Sequence, residues 1–395
     1  MTRFLPADIE ELRDAVAGAL AAEEPVEIVG GGSKRALGRP LQTPHLLDLS
    51  RLSGIRDYVP SELVLTAGAT TPMAEIERTL TEGGQMLAFE PPDWRGLLGG
   101  EGEPTLGGVL ACNLSGPRRI KAGAARDHFL GFRAVSGRGE IFKAGGKVVK
   151  NVTGYDLCKL MAGSYGTLAA LEEVTVKVLP RPEAETTVML AGLAPEAASR
   201  VMAAALGSPH ELSAAAYLPT GYGPIVPTAC VVLRVEGPSP SVAFRRRALQ
   251  DELAAGASQV LDGEDSAALW RAIGDVSPLV HLQDRAVWRV SVAPSRGAGL
   301  AEAIARRLDA VWFLDWGGGL VWLAMPEEGD GGAAVVRDAV GGAGHATLVK
   351  ASPALRRAVA VFEPQPRPLA ALSRRVKEGF DPVHILNPSR MVEGL

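Results

Sequence analysis

The chain has 395 residues, 47% of them apolar, and a formal net charge of −4. That length exceeds one ordinary core and predicts two or three domains, and the near-neutral charge excludes a dedicated nucleic-acid surface. Three cysteines with no C-x-x-C pair exclude a disulfide framework or an iron–sulfur cluster, and six dispersed histidines exclude a local zinc motif.

Residues 8–22 read as a helix with Ile9, Leu12, Val16 and Leu20 on one face and with Asp8 and Glu11 as a capping box. A strand at 26–29 runs into Gly30, Gly31, Gly32, Ser33, Lys34 and Arg35. Strands follow at 46–49 and 63–66, then a helix opened by Pro72 and stopped by Gly83 and Gly84. A strand-like run at 86–89 precedes six glycines between 96 and 108. A hairpin spans 131–143, a helix fills 156–162, and Val174, Val176 and Val178 alternate with polar residues as a strand buried on one face. PRPE at 180–183 breaks the pattern and marks a domain boundary. From about 185 to 345, strand-like runs at 187–190, 230–235, 287–292 and 320–324 alternate with Ala-rich helices, a separate α+β domain. The tail holds a basic helix at 369–378 and then FDPVHILNPSRM. No apolar run reaches ~18 residues and the N-terminus turns acidic at once, so a cytoplasmic protein with no integral membrane segment is expected.

The glycines after the first strand fit neither G-x-G-x-x-G nor the Gly-Lys-Ser phosphate loop. Amides without Cβ atoms can still converge on an anion, and Lys34 and Arg35 add positive charge; a tight turn with solvated basic residues is the competing account. A second loop, PTLGGVLACNLSGPRR at 104–119, puts Gly107 and Gly108 at a helix start, where free amides and the dipole favour anions, and continues to Asn113, Ser115 and Gly116. A third, KNVTGYDLCKLMAGSYGTLAALEEVTVKVLPRPE at 150–183, joins a helix to the alternating strand. Three such loops in one region exceed what turns require.

IVGGGSK, TLGG and GSYGTLAALEEVTVKVLPRPE, in this order, resemble the FAD-binding domain of the vanillyl-alcohol oxidase and p-cresol methylhydroxylase (PCMH) type, and VKNVTGYDLCKL with FDPVHILNPSRM resembles its glycolate oxidase (glycolate dehydrogenase) FAD-binding E subunits. The resemblance implies an α+β fold: a two-subdomain FAD-binding domain over 1–182, an α+β cap over 183–349, and a C-terminal segment, 350–395, packing back on the first. It further implies that Gly30, Gly31, Gly32, Ser33 and Lys34 wrap the pyrophosphate of FAD and that Thr105, Gly107 and Gly108 make a second phosphate contact. Asn113, Ser115 and Gly116 would run beside the flavin, and Ala169, Ala170 and Leu171 would meet the cofactor through backbone, with Ala169 and Glu172 replacing the usual Gly and Thr. No histidine falls in the glycine loops, which favours noncovalent FAD; His128, the nearest, reads as a core histidine making one hydrogen bond.

Oxidation of a 2-hydroxy acid needs a base, a cation for the carboxylate and a hydride acceptor. The cap lacks the clustered histidines of related catalytic subunits, so substrate oxidation is expected to be shared with, or done by, a sister FAD subunit, with electrons leaving to an iron–sulfur subunit. No catalytic base is identified. Arg118, Arg119 and Lys121 are candidates for tuning the flavin, against a surface-charge account; Lys150, Tyr155 and Asp156 are open in the same way, Asp156 also reading as a helix cap. Glu90, Asp93 and Trp94 in FEPPDW approach the flavin or form a plain turn. Asn387 and Arg390, polar groups in an apolar strip, invite a site reading, but the Asp-Pro and Asn-Pro pairs are more simply turns that bring the chain back onto the FAD domain; Arg356, Arg357, Arg367, Arg374 and Arg375 of the tail read as solvated faces or a dock for an acidic partner. A stand-alone flavin dehydrogenase for another hydroxy acid or alcohol and a flavin-free assembly subunit are the alternatives. Attachment at the inner membrane through a complex is left open. Gly31→Asp is expected to remove the cofactor by placing a carboxylate at the pyrophosphate.

Overall fold

The computed structural model describes residues 2–146, 155–253 and 258–395. Helix Ile9–Ala22 buries Ile9, Leu12, Val16 and Ala19, and the Asp8 carboxylate accepts from the amides of Glu10 and Glu11. The capping differs in one detail: Glu11 reaches back to the amide of Ala7 rather than of Asp8. The helix packs on a parallel sheet in the order Thr2–Phe4, His45–Asp48, Val26–Val29. The C-terminal chain covers the Val26–Val29 edge, with Leu386 bridging Val26 and the Val26 amide donating to Ile385.

An antiparallel sheet follows, ordered Ile55–Val59, Val64–Gly68, Ala169–Lys177, Phe129–Ser136, Ile141–Gly145. Val174 and Val176 of its central strand, and Val178 just beyond, are buried. The expected strand at 86–89 shrinks to Gln85–Met86, paired with Leu179–Pro180. The chain turns at Glu90, φ 50°, and Pro91 and Pro92 have no amide to donate to a ladder.

Strands between Ala184 and Lys350 form one antiparallel sheet of eight: Ser258–Asp262, Ala184–Ala191, Cys230–Gly237, Ala214–Leu218, Val311–Asp315, Leu320–Pro326, Arg285–Val292, Gly344–Lys350. The two-residue alternation divides its side chains. Val188, Val231, Trp288 and Leu323 pack with residues of helices Pro195–Gly207, Pro294–Arg307 and Ala333–Val340. Met189, Val232, Phe313 and Trp322 turn the other way and share a core with the five-stranded antiparallel sheet. Trp94 meets Trp322 edge-on across that boundary, ring centroids 5.4 Å apart.

Helix Arg367–Phe380 then anchors the tail. The buried Lys377 ammonium donates to the carbonyls of Thr167 and Leu386 and to the Asp381 carboxylate, which also accepts from the amides of Ile385 and Leu386. Among the described residues no helix is long and apolar enough to cross a membrane.

Candidate functional site

Strand Val26–Val29 delivers the chain to a half-buried turn at 30–34, and no amide from Gly30 to Lys34 donates a hydrogen bond within the described residues. Sheltered backbone donors are normally paired, so five in succession point to a missing acceptor. The Lys34 ammonium lies among them. Its hydrogen bond goes to Ser33 Oγ at 3.2 Å, no carboxylate among the described residues pairs with it, and burial pushes its pKa down. Across the groove stand Thr105, Gly107 and Gly108, with Thr70, Leu171, Tyr165 and Asn387 completing the walls.

The glycines divide by what a Cβ would meet. At Gly30 and Gly108 it would enter the groove, 3.2 and 3.1 Å from Thr105 Oγ1, and at Gly108 it would also lie 3.8 Å from Lys34 Nζ. At Gly31 it would lie 1.9 Å from the Glu103 carbonyl oxygen, at Gly107 2.6 Å from that of Ala69, and at Gly116 2.7 Å from that of Glu90. These three are glycine because another stretch of backbone passes close by. Gly31→Asp would therefore break loop packing before it touched a phosphate, which corrects the expected meaning of that substitution. The helix Leu106–Ala111 also differs from expectation. The amides of Leu106, Gly107 and Gly108 are already bonded, to the carbonyls of Thr71 and Ala69 and to Thr105 Oγ1. The groups left free to meet an anion in the groove are the 30–34 amides, Lys34 and the hydroxyls of Ser33 and Thr105.

Asn113 adopts φ 50°, and its Oδ1 accepts from the Arg126 amide; Ser115 Oγ accepts from the Ala125 amide. These bonds fold the turn onto the next helical turn. Both residues line a smaller cavity of about 40 Å³ with Trp94, Arg289 and Thr347. Leu37, Cys112 and Tyr165 line both this cavity and the groove, so the two adjoin. Gly116 lines neither; its carbonyl accepts from Trp316 Nε1 at 3.1 Å. The Glu172 carboxylate is turned to Arg133 and Arg56.

Arg118 is placed otherwise than expected. It is neither a flavin-facing cation nor a surface charge: only 8% exposed, it pairs with Glu236 at 2.6 Å and Glu90 at 3.3 Å. Glu90 in turn receives both Nη atoms of the fully buried Arg234, at 2.8 and 2.9 Å. Burial alone would raise Glu236, but Arg234 and Arg118 bring it down to about 2. Burial likewise opposes ionisation of Glu90, and the same two arginines outweigh it. This ion network ties the FEPPDW and SGPRR loops to the cap strand Cys230–Gly237. FEPPDW adds Trp94 Nε1 to the Gly274 carbonyl and the Asp93 amide to Asp275. Lys121 meets Glu211 at the surface. Of KNVTGYD, residues 150–154, Lys150 included, lie outside the described residues. Tyr155 is 91% exposed, Asp156 caps helix Leu157–Met161, and His128 Nε2 bonds the Ala122 carbonyl.

Sequence reasoning missed Tyr165 and Cys112, and for Asn387 and Arg390 it preferred a turn reading over a site reading. Those turns form, and they also carry both side chains to the groove wall. Asn387 Oδ1 accepts from the Ile28 amide and its Nδ2 donates to the Tyr165 carbonyl; Arg390 holds the carbonyls of Arg35 and Leu37 and pairs with Glu27. Arg356, expected on a solvated or docking face, is buried and donates to the carbonyls of Ala36 and Gly38.

A family model described as an FAD binding domain matches residues 3–145. Over 382 residues the chain is 35% identical to the glycolate oxidase subunit GlcE of Escherichia coli (strain K12), covering 97% of each. The chain belongs to the GlcE family of glycolate oxidase subunits. It is an FAD-dependent oxidoreductase subunit, and the unpaired 30–34 amides and Lys34 suit a diphosphate. The glycolate oxidase subunit GlcD of Bacillus subtilis (strain 168) is 40% identical over 101 residues, 26% of this chain and 21% of that one. The structure of p-cresol methylhydroxylase with substrate bound matches with a TM-score of 0.70 at 14% identity, covering 99% of this GlcE-family chain and 88% of the other, so the fold is of the PCMH type. None of the six histidines lines the groove or the adjoining cavity.

Proposed function

We propose that this chain is the FAD-holding subunit of a complex that oxidises glycolate to glyoxylate. In it, Gly30, Gly31, Gly32, Ser33 and Lys34 hold the cofactor's diphosphate by amides and ammonium. Thr105 and Ser33 add hydroxyl donors, Gly107 lets the helix start sit against Ala69, and Gly108 leaves the approach open. Leu171 lines the wall beyond, while Asn113 and Ser115 lead toward the cavity under the cap and Gly116 ties that turn to Trp316. FAD, when bound, supplies a two-electron acceptor. The chain's residues orient it, shelter it beneath the cap and neutralise its phosphates.

Cys112, Cys158 and Cys230 are scattered along the sequence, so the reading places an iron–sulfur centre in another subunit, alongside a sister FAD subunit. The row of unpaired amides beside a sheltered lysine carries this reading. Lys34→Ala should weaken FAD binding about 10- to 100-fold, as expected for loss of a charge-assisted contact, with the fold intact by circular dichroism. FAD per chain after purification and the Kd of reconstitution measure it; an unchanged Kd would refute the diphosphate assignment.

A further inference from the structure

Two guanidinium groups under the cap have no anionic partner among the described residues. Arg289, on cap strand Arg285–Val292, and Arg119, at the start of helix Arg119–Ala122, approach one indole, their Cζ atoms 4.9 and 4.2 Å from the Trp316 ring. Neither guanidinium makes a hydrogen bond or an ion pair with a described residue. The ring attracts each cation but does not neutralise it. Burial and the neighbouring Arg119 push Arg289 down to about 10, the direction expected of a sheltered cation short of a counter-charge. Asp315 is near enough to be felt but not within ion-pairing distance; its carboxylate accepts from the Trp316 amide at 2.6 Å, and burial pushes it up to about 7.

Arg289 lines the 40 Å³ cavity that adjoins the dinucleotide groove. Tyr165 lines it too, with its hydroxyl unbonded among the described residues and its phenol pKa pushed well up by burial, so it stays a neutral donor. Thr347, the register partner of Arg289 on the neighbouring strand, adds a hydroxyl. A water needs about 10–15 Å³ by this measure, so the room suits a group of only a few heavy atoms. A planar fork, a neutral hydroxyl donor and so small a space match a short 2-hydroxy or 2-oxo carboxylate.

We propose that Arg289 receives the carboxylate of a two-carbon 2-hydroxy acid or its 2-oxo product in this cavity, with Arg119 adding charge through the shared indole and Tyr165 meeting the acid's second oxygen. The inference rests on the FAD-subunit reading and deepens it: this chain takes the acid itself and does not leave it wholly to a sister subunit.

Calorimetric titration of the FAD-loaded chain with oxalate, a planar two-carbon acid with no hydride to lose, tests it, with FAD content measured on the same samples. Saturable one-to-one binding is expected, with five-carbon glutarate failing to bind. Arg289→Met should weaken oxalate at least 10-fold with FAD content unchanged, and Arg119→Gln should weaken it less. Arg289→Lys keeps the charge without the fork and serves if the methionine variant misfolds; it should still weaken oxalate several-fold. Oxalate affinity unchanged in the Arg289 variants, or no oxalate binding by the wild type, overturns the proposal. So does loss of FAD from Arg289→Met with oxalate affinity intact in the remaining loaded fraction, because the pair would then serve the cofactor. A chain that binds oxalate through Arg289 yet takes up no FAD refutes the cofactor reading and supports the carboxylate site.

Discussion

The groove at residues 30–34 and the inner face of the cap both place charge-handling groups in sheltered surroundings, by opposite means. The groove uses main-chain amides in a row, fixed by loop packing at Gly31 and by the tail through Asn387 and Arg390. The cap uses long side chains from strands far apart in sequence, with Arg234 and Glu236 paired and Arg289 without an ion-pair partner among the described residues. Backbone recognition survives most side-chain changes and is vulnerable to an added Cβ. Side-chain recognition is lost with one residue, and a partner left behind unpaired adds to the cost.

Gly108→Asp presses that contrast hardest. The new carboxylate would stand beside Lys34 in the groove, at a helix start that tolerates an acidic residue. FAD affinity should fall at least 100-fold while the melting temperature of the FAD-free chain stays within a few degrees of wild type. Gly31→Asp should lower both, because its Cβ meets backbone. Equal behaviour of the two variants would erase the division drawn between these glycines.

On the cap side, Arg234→Met leaves Glu90 with a buried, under-compensated charge and should cost about 3–5 kcal/mol in urea unfolding. A cost below about 1 kcal/mol would mean the network does not hold the cap down. Asn387→Leu should cost less, about 1–3 kcal/mol, by orphaning the Ile28 amide and the Tyr165 carbonyl.

A pH dependence bears on the same side of the contrast. Asp315 titrates near 7 in the folded chain, above the ~3.9 of an unfolded aspartate. The native state therefore holds that proton more tightly. Its contribution to stability is fully present below about pH 4 and is lost as pH rises through about 7. Asp315→Asn removes the loss, so its melting temperature relative to wild type should be higher at pH ~8 than at pH ~5. An identical difference at both values would place the Asp315 titration elsewhere.

What could be read in advance follows the same division. The helix at the N-terminus, the glycine turn, the hairpin and the valine alternation are local patterns, and they stand where periodicity and turn chemistry put them. The glycines were legible as places where something passes close, but whether that was a ligand or another strand of the same chain was not: Glu103 lies 72 residues from Gly31 and Ala69 38 from Gly107. Arg118 looked like a free cation because its partner, Glu236, is 118 residues away. Arg289 carried no signal, since what distinguishes it is the absence of a partner after the sheet has formed. That the Pro-flanked turns at Asn387 and Arg390 bring the tail back onto the first domain was legible, but that their side chains bond strand Val26–Val29 and the Tyr165 carbonyl was not, because those partners are far away in sequence.

On the proposed function, the five amides at 30–34, unbonded among the described residues, meet the diphosphate of FAD. Amide hydrogen exchange of the full chain with and without saturating FAD reads those positions directly. Strong slowing of exchange across 30–34 on FAD addition, with little change in the cap helices, is the predicted result. FAD bound at full stoichiometry with exchange at 30–34 unaltered would contradict it.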